Sequence, residues 1–444
     1  QPRAWAQASG RAMRRQAVTA VALLALAFGI WWLGTGLIAG FALLAALLLG
    51  AALGLPIVLA LALGGLSRMA RGAFSEWAFA DSRQQLPALS LALMALLLAL
   101  AANIGVSTMV GSFRTTFTSW LDQRLASELY VTVENEAEAE RLRRFLAPRA
   151  EAMLPIVSAE TRLFDMPAEV FGVVDHRTYR EAWPLLSERA GAWDALFAGE
   201  AVLVNEQMAR RASLRLGDPV QVAEGVTLPV AGIYSDYGNP AGQAIVGYDL
   251  FREIWPQVRP DSFAIRVADK GAPALATALR EEFGLPDAAV RNQAQIKRFS
   301  LRIFENTFRV TGALNILTLG VAALALLTSL LTLSSLRLPQ VAPVWALGVP
   351  RGRLARAEVW RLLLLAGLTF LLALPVGLIL AWVLLAVVNV EAFGWRLPMQ
   401  VFPADWLRLF AMSLAAAGLA AALPAIRLSR MAPARLLQVF SQER

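Results

Sequence analysis

Six long apolar runs dominate the chain, at residues 17–33, 37–63, 86–113, 310–336, 359–388 and 406–426. Crossing a hydrocarbon core of about 30 Å takes roughly 20 helical residues, so each run reads as a transmembrane helix. Gly34-Thr35-Gly36 alone separates the first two, which predicts a helical hairpin with Gly36/Gly40 and Gly50/Gly54 spaced for close helix approach. Residues 64–85 mix Arg, Glu and Asp with Met69, Phe74, Trp77 and Phe79; too polar to cross, they predict a helix lying in the membrane interface. Pro87 falls in the opening turn of the third span, where a missing N–H costs little.

The pattern changes between 119 and 306, where no run is long or apolar enough to span. Alternation predicts strands at 128–134, 168–174, 201–205, 220–224, 228–234 and 262–268, and helical periodicity predicts helices at 136–149, 206–213 and 272–284. A helix opening at Gln293 meets no stop signal before the fourth span and is expected to run on into it, so that force passes along it. The expected fold is therefore a membrane all-α protein of about six transmembrane helices with one inserted extracytoplasmic α+β domain.

Charge divides the chain in the same way. The segment 119–306 holds 21 Lys+Arg against 27 Asp+Glu, a net of −6, and the remainder carries +14 of the overall +8 balance. The excess arginines sit in alternate connections: Arg3, Arg11, Arg14 and Arg15; Arg68, Arg71 and Arg83; Arg337, Arg351, Arg353 and Arg356; Arg427, Arg430, Arg435 and Arg444. The intervening connections hold none at 34–36 and only Arg396 at 389–405. The positive-inside rule then places both termini in the cytoplasm and 119–306 outside. It also accounts for the basic balance without nucleic acid as a partner. The resulting order is a cytoplasmic segment 1–16, a hairpin 17–63, an interfacial segment 64–85, a third span 86–118, the outer domain 119–306, a fourth span 307–336, a cytoplasmic loop 337–358, two spans within 359–426 and a cytoplasmic tail 427–444. Position 1 is Gln, and no cleavage site follows the first apolar run, so the chain reads as beginning inside a longer or processed protein.

Several chemistries lack their residues. There is no Cys, and His176 is the lone histidine, which excludes a His/Cys zinc site and any disulfide. Neither lysine, Lys270 nor Lys297, sits in a Gly-Lys-Ser/Thr loop, and Gly-x-Ser-x-Gly is absent. No catalytic, cofactor or metal residues are expected. The spans are nearly free of charge, which disfavours an ion-coupled transporter; their polar residues Asn103, Asn315 and Asn389 read as interhelical hydrogen-bonding groups.

Four segments carry a resemblance: MVGSFRTTFTSWLDQRLASELYV (109–131), VLVNEQMARRASLRLGDPV (202–220), ALGVPRGRLARAEVW (346–360) and PAIRLSRMAPARLL (424–437). In this order they resemble the FtsX-like/MacB-type permeases of ABC transporters, over roughly 86–437. The extra hairpin 17–63 resembles the arrangement in the C-terminal half of large two-module, YbbP-like permeases. The resemblance implies an outer domain of the MacB periplasmic-core type, a bacterial inner-membrane location, a cytoplasmic ATPase partner that holds the ATP and Mg, and a second permease module. It implies transmission of ATP-driven motion to the outer domain for export or extraction of a hydrophobic, lipid-like or envelope-associated substrate. Its alternative is an FtsX-like signalling role in which the outer domain binds and controls a periplasmic protein such as a cell-wall hydrolase.

The loop 337–358 would then hold the coupling helix. Val344, Trp345, Leu347 and Leu354 supply an apolar face, Gly348 lies in the same docking segment, and Arg351, Arg353 and Arg356 can pair with carboxylates of the ATPase. Glu358 matches the family's acidic residue at this place and is expected to pair with Arg361 or Arg356.

Overall fold

The computed structural model describes residues 2–70, 72–237, 241–268, 271–334 and 338–430, without the side chains of 2–12, 304–312, 314–315, 333–334 and 338–341. Arg3, Arg11, Arg71, Lys270, Asn315, Arg337, Arg435, Arg444 and most of the tail segment 427–444 therefore lie outside the described residues or side chains. The chain divides into two compact units: residues 1–112, 308–388 and 398–444 form one, and 113–307 with 389–397 the other.

The first unit is helical. α1 (Pro2–Leu33) and α2 (Gly36–Ser67) form the expected hairpin, turned at Gly36 with φ +85°. At Gly50 an added Cβ would lie 2.9 Å from the Leu24 side chain, so glycine lets the two helices close; Gly40 instead faces Val388. α3 (Ala73–Arg124) is unbroken. The residues expected as a separate interfacial helix are thus divided, with Gly64–Ser67 closing α2 and Ala73–Gln85 forming the first turns of α3. Pro87 is tolerated inside α3, not at its start.

The remaining long helices are α10 (Gln293–Ser334), α12 (Arg351–Val383) and α14 (Pro403–Ser429). Among the described residues five helical stretches are long and apolar enough to cross a membrane: Met13–Leu33, Gly36–Ser67, Ala73–Arg124, Arg351–Phe393 and Pro403–Ser429. The region expected as the fourth span contributes a shorter apolar stretch, Ile316–Thr332. Leu86, Leu89, Leu93, Leu96, Leu100 and Ile104 of α3 are fully buried in the core that this helix shares with α10, α12 and α14. Asn103 accepts a hydrogen bond from Thr318 Oγ1 at 3.3 Å, an interhelical contact of the expected kind.

The second unit is built on one mixed sheet. Its strands are β1 (Leu129–Thr132), β2 (Ala152–Leu163), β3 (Met166–Val173), β4 (Leu185–Glu188), β5 (Val202–Asn205), β6 (Pro219–Ala223), β7 (Val226–Tyr234), β8 (Gly242–Gly247), β9 (Ser262–Arg266) and β10 (Val290–Asn292). They lie in the order β10-β1-β9-β2-β3-β8-β5-β7-β4, with β6 paired to β7. β3–β8 and β5–β7 are parallel, and the other pairs are antiparallel. β2 joins two lobes: its first half (152–156) pairs with β9 and its second (157–163) with β3. A two-residue turn at Phe164 and Asp165, with φ of 50° and 60°, closes the β2–β3 hairpin in the primed conformation that matches strand twist.

In one lobe α4 (Glu136–Leu146) and α9 (Ala272–Glu281) bury Leu142, Leu146, Leu275 and Leu279 on β1 and β9. In the other, α5 (Arg177–Ala182), α6 (Ala192–Phe197), α7 (Glu206–Arg211) and α8 (Tyr248–Ile254) cover strands whose residues 202–205 are all buried. Asn135 and Asn205 cap α4 and α7 by accepting from the N–H of Glu138 and Met208.

Candidate functional site

The expected coupling loop is an elbow. α11 (Leu338–Ala346) ends where Leu347 N–H donates to Pro343 O at 3.1 Å and Gly348 N–H to Trp345 O at 2.9 Å. Gly348 has φ +98°, the left-handed value that suits glycine in a helix-terminating position. Pro350 then caps α12, its carbonyl accepting from the N–H of Arg353 (2.9 Å) and Leu354 (3.2 Å).

The eight residues singled out in sequence separate by depth. Leu347, Gly348, Arg353 and Arg356 are exposed, Trp345 and Arg351 half-buried, and Leu354 and Glu358 buried. Leu354 belongs to the packing of the helices and Glu358 to an ion cluster, so neither presents a side chain for docking. Glu358 accepts a hydrogen bond from Arg361 Nη2, the pairing expected, and Arg361 Nη1 reaches Asp81 of α3 at 3.1 Å. Gln85 donates to the same carboxylate at 2.8 Å. Arg361, Glu358 and Asp81 side chains are at most 10% exposed, so one guanidinium pairs with two buried carboxylates.

The mixed unit contains a second constellation, which sequence reasoning missed. Residues 389–397, expected as a plain connection between spans, belong to this unit. α13 (Asn389–Phe393) opens the segment, Phe393 stacks on Trp395 at 5.2 Å, and Trp395 is 4% exposed. Asn389, expected to bond between helices, instead donates to Trp395 O at 2.7 Å and closes the loop on itself. Gly394, at φ +85°, lies against Gln207, and Arg396 N–H donates to Glu206 Oε1 at 3.2 Å. Glu206 is buried and also holds Arg210 at 2.7 Å.

From there a polar chain runs inward. Gln207 Nε2 donates to Asp236 O, and the Asp236 carboxylate lies 3.6 Å from Arg124, the last residue of α3. Arg124 also donates to Gln243 Oε1 at 3.3 Å and sits over the rings of Trp183 (4.5 Å) and Tyr234 (5.1 Å). Burial raises the pKa of Tyr234 and Tyr179 and pushes Tyr130 up to about 12, so these phenols stay neutral. The start of α10 is tied to the same place: Gln293 N–H donates to Glu128 O at 3.0 Å and Lys297 pairs with Asp122. Three chain entries into this unit, at α3, α10 and 389–397, are thus fastened by side chains and not by covalent connection alone.

His176 caps α5, its Nδ1 accepting from Thr178 N–H at 3.2 Å, and burial lowers its pKa. Among the described residues no group of three or more His, Asp or Glu is arranged to hold a metal ion.

A model of the MacB-like periplasmic core domain matches residues 89–282, and a model of the FtsX-like permease C-terminal domain matches residues 312–433. An uncharacterized ABC transporter permease protein of Mycobacterium tuberculosis is 28% identical over 436 residues, which cover 90% of this chain and 50% of that protein. The chain thus spans about half the length of the curated relative it matches. The periplasmic region of MacB from Actinobacillus actinomycetemcomitans aligns over 39% of this chain and 91% of its own, at 16% identity and a TM-score of 0.29. The extracellular domain of the noncanonic ABC-type transporter YknZ from Gram-positive bacteria aligns over 37% and 98%, at 12% identity and a TM-score of 0.28. With the core-domain model on the mixed insert and the permease model on the helices that follow it, the chain belongs to the FtsX/MacB-type permease family.

Proposed function

We propose that this chain is the permease component of an ABC transporter, which converts ATP hydrolysis by a separate cytoplasmic ATPase into movement of the mixed domain. The movement exports or extracts a hydrophobic or envelope-associated substrate. The observation that carries this reading is the fastening of the domain at all three chain entries, through Asp122–Lys297, Arg124–Asp236 and Glu206–Arg396. A displacement of any connected helix then reaches the sheet without slack.

In this reading the chain resides in the bacterial inner membrane, with the mixed domain in the periplasm and the 338–356 elbow in the cytoplasm, as the arginine distribution supports. Leu347, Trp345, Arg351, Arg353 and Arg356 form the docking surface, with ATP and Mg bound by the partner. Leu354 and Glu358 hold the elbow from behind. The half-length match to a longer permease supports a second module alongside this one.

Affinity purification of the tagged chain from membranes tests the reading. A subunit with a Walker A loop should copurify and hydrolyse ATP, while the chain stripped of it should not. Recovery of the chain without any such subunit, under conditions that preserve membrane complexes, would overturn the assignment.

A further inference from the structure

We propose that a groove between the first turns of α3 and of α12 binds the headgroup and upper acyl chain of an anionic phospholipid. The groove encloses about 540 Å³, within the roughly 300–1,000 Å³ of ligand sites. Phe74 and Phe79 line it from α3, and Arg353, Arg356, Trp360 and Arg361 from α12.

Its charged lining is cationic, and two of its three arginines lack an anionic partner. Arg353 lies 4.7 Å above the Phe74 ring, and Arg356 Nε makes only a long contact of 3.4 Å to Gly352 O. Neither has a carboxylate partner among the described residues. Arg361 is 6% exposed; both its Nη groups are bound to Asp81 and Glu358, and its buried Nε has no partner. Two guanidinium groups without a carboxylate, Arg353 and Arg356, therefore border one space with the free Nε of Arg361, and a phosphate ester supplies the acceptors they lack.

The surroundings specify a lipid. The groove sits where α12 passes from charged turns to the continuous apolar stretch beginning at Leu362, the level of headgroups for a membrane-spanning helix. Trp360 is 71% exposed there, as an aromatic residue at that boundary is. Basic pockets between such helices suit anionic headgroups. No Asp or Glu lines the groove, and the carboxylates of Asp81 and Glu358 behind it are held by Arg361, so Arg353 and Arg356 are the charges a headgroup meets.

This inference goes beyond the transport reading and is tested without an ATPase. The full chain in detergent is doped with equal mole fractions of phosphatidylglycerol and phosphatidylcholine, and retained lipid is read by native mass spectrometry alongside Tm. The expected result is about tenfold preferential retention of phosphatidylglycerol and a Tm raised by several degrees relative to phosphatidylcholine alone. Arg353→Gln/Arg356→Gln should bring both to parity, and Arg353→Lys/Arg356→Lys should recover part of the preference while serving as a second variant should the first fold poorly. Equal retention of the two lipids by the unaltered chain overturns the proposal. So does an undiminished preference in the glutamine variant.

Discussion

Glu206 Oε1 accepts the backbone N–H of Arg396 at 3.2 Å across 190 residues of sequence, and this bond fastens the 389–397 segment to the mixed domain. A buried carboxylate serving a backbone donor and a guanidinium at once is a geometric constraint as much as an electrostatic one. Glu206→Ala should leave the Arg396 N–H without its acceptor and cost about 1–3 kcal/mol. Hydrogen exchange at Arg396 should accelerate; unchanged exchange would show that the segment is held by Trp395 packing alone.

Gly394 should resist a side chain for two reasons. Its φ of +85° is left-handed, and an added Cβ would stand 3.4 Å from the Gln207 backbone. Gly394→Val is expected to cost roughly 1–2 kcal/mol from the backbone conformation alone. Faster tryptic cleavage after Arg396 is the readout, and a cleavage rate equal to that of the unaltered chain would count against the fastening.

The Arg361 cluster offers a double test. Arg361→Met strands the buried carboxylates of Asp81 and Glu358 and should destabilise by about 3–5 kcal/mol, read as a lower Tm in detergent. Adding Asp81→Asn and Glu358→Gln should restore most of the loss, since the uncompensated charges are then gone. Failure of the triple variant to recover would place the value of Arg361 in its packing.

Charge reversal at the elbow addresses docking. Arg351, Arg353 and Arg356 are half-buried to exposed, so changing all three to Glu should leave the fold intact while reducing ATPase copurification at least about tenfold. Leu347→Asp, at a residue 86% exposed, should act in the same direction. Retained association in both variants would move the docking surface elsewhere.

His176 sets a pH dependence. Its neutral Nδ1 caps α5, and burial depresses its pKa below the usual value of about 6.5. The unfolded state therefore binds the proton more readily. The cap's contribution is complete above about pH 6.5 and declines as the pH falls through the lower folded value. His176→Asn, which retains a capping oxygen, should flatten the Tm profile between about pH 5 and 7; a profile identical to that of the unaltered chain would assign the slope to other groups.

Much of this protein was decided by its sequence. Long apolar runs separate the helical unit from the mixed insert, because burial in lipid and burial in a water-soluble core demand different lengths and periods. Strands such as 202–205 and 262–266 and helices such as α4 and α9 follow from local alternation and capping. The lone histidine and missing cysteines removed whole classes of chemistry. The positions of Arg351, Arg353 and Arg356 were legible too, but not that Leu354 and Glu358 beside them turn inward, since facing depends on what α12 packs against.

Only the tertiary structure decided the rest. β2 reads locally as one strand, yet its division between β9 and β3, which joins the two lobes, is set by partners distant in the chain. Arg361 and Asp81 lie 280 residues apart, and neither carries a local sign of the other. The assignment of 389–397 to the mixed domain likewise rests on Glu206 and Gln207, whose neighbourhood in sequence predicts only a short helix. Periodicity records the environment of a segment, whereas pairing between remote segments is fixed by packing and buried-charge neutralisation once the chain has closed on itself.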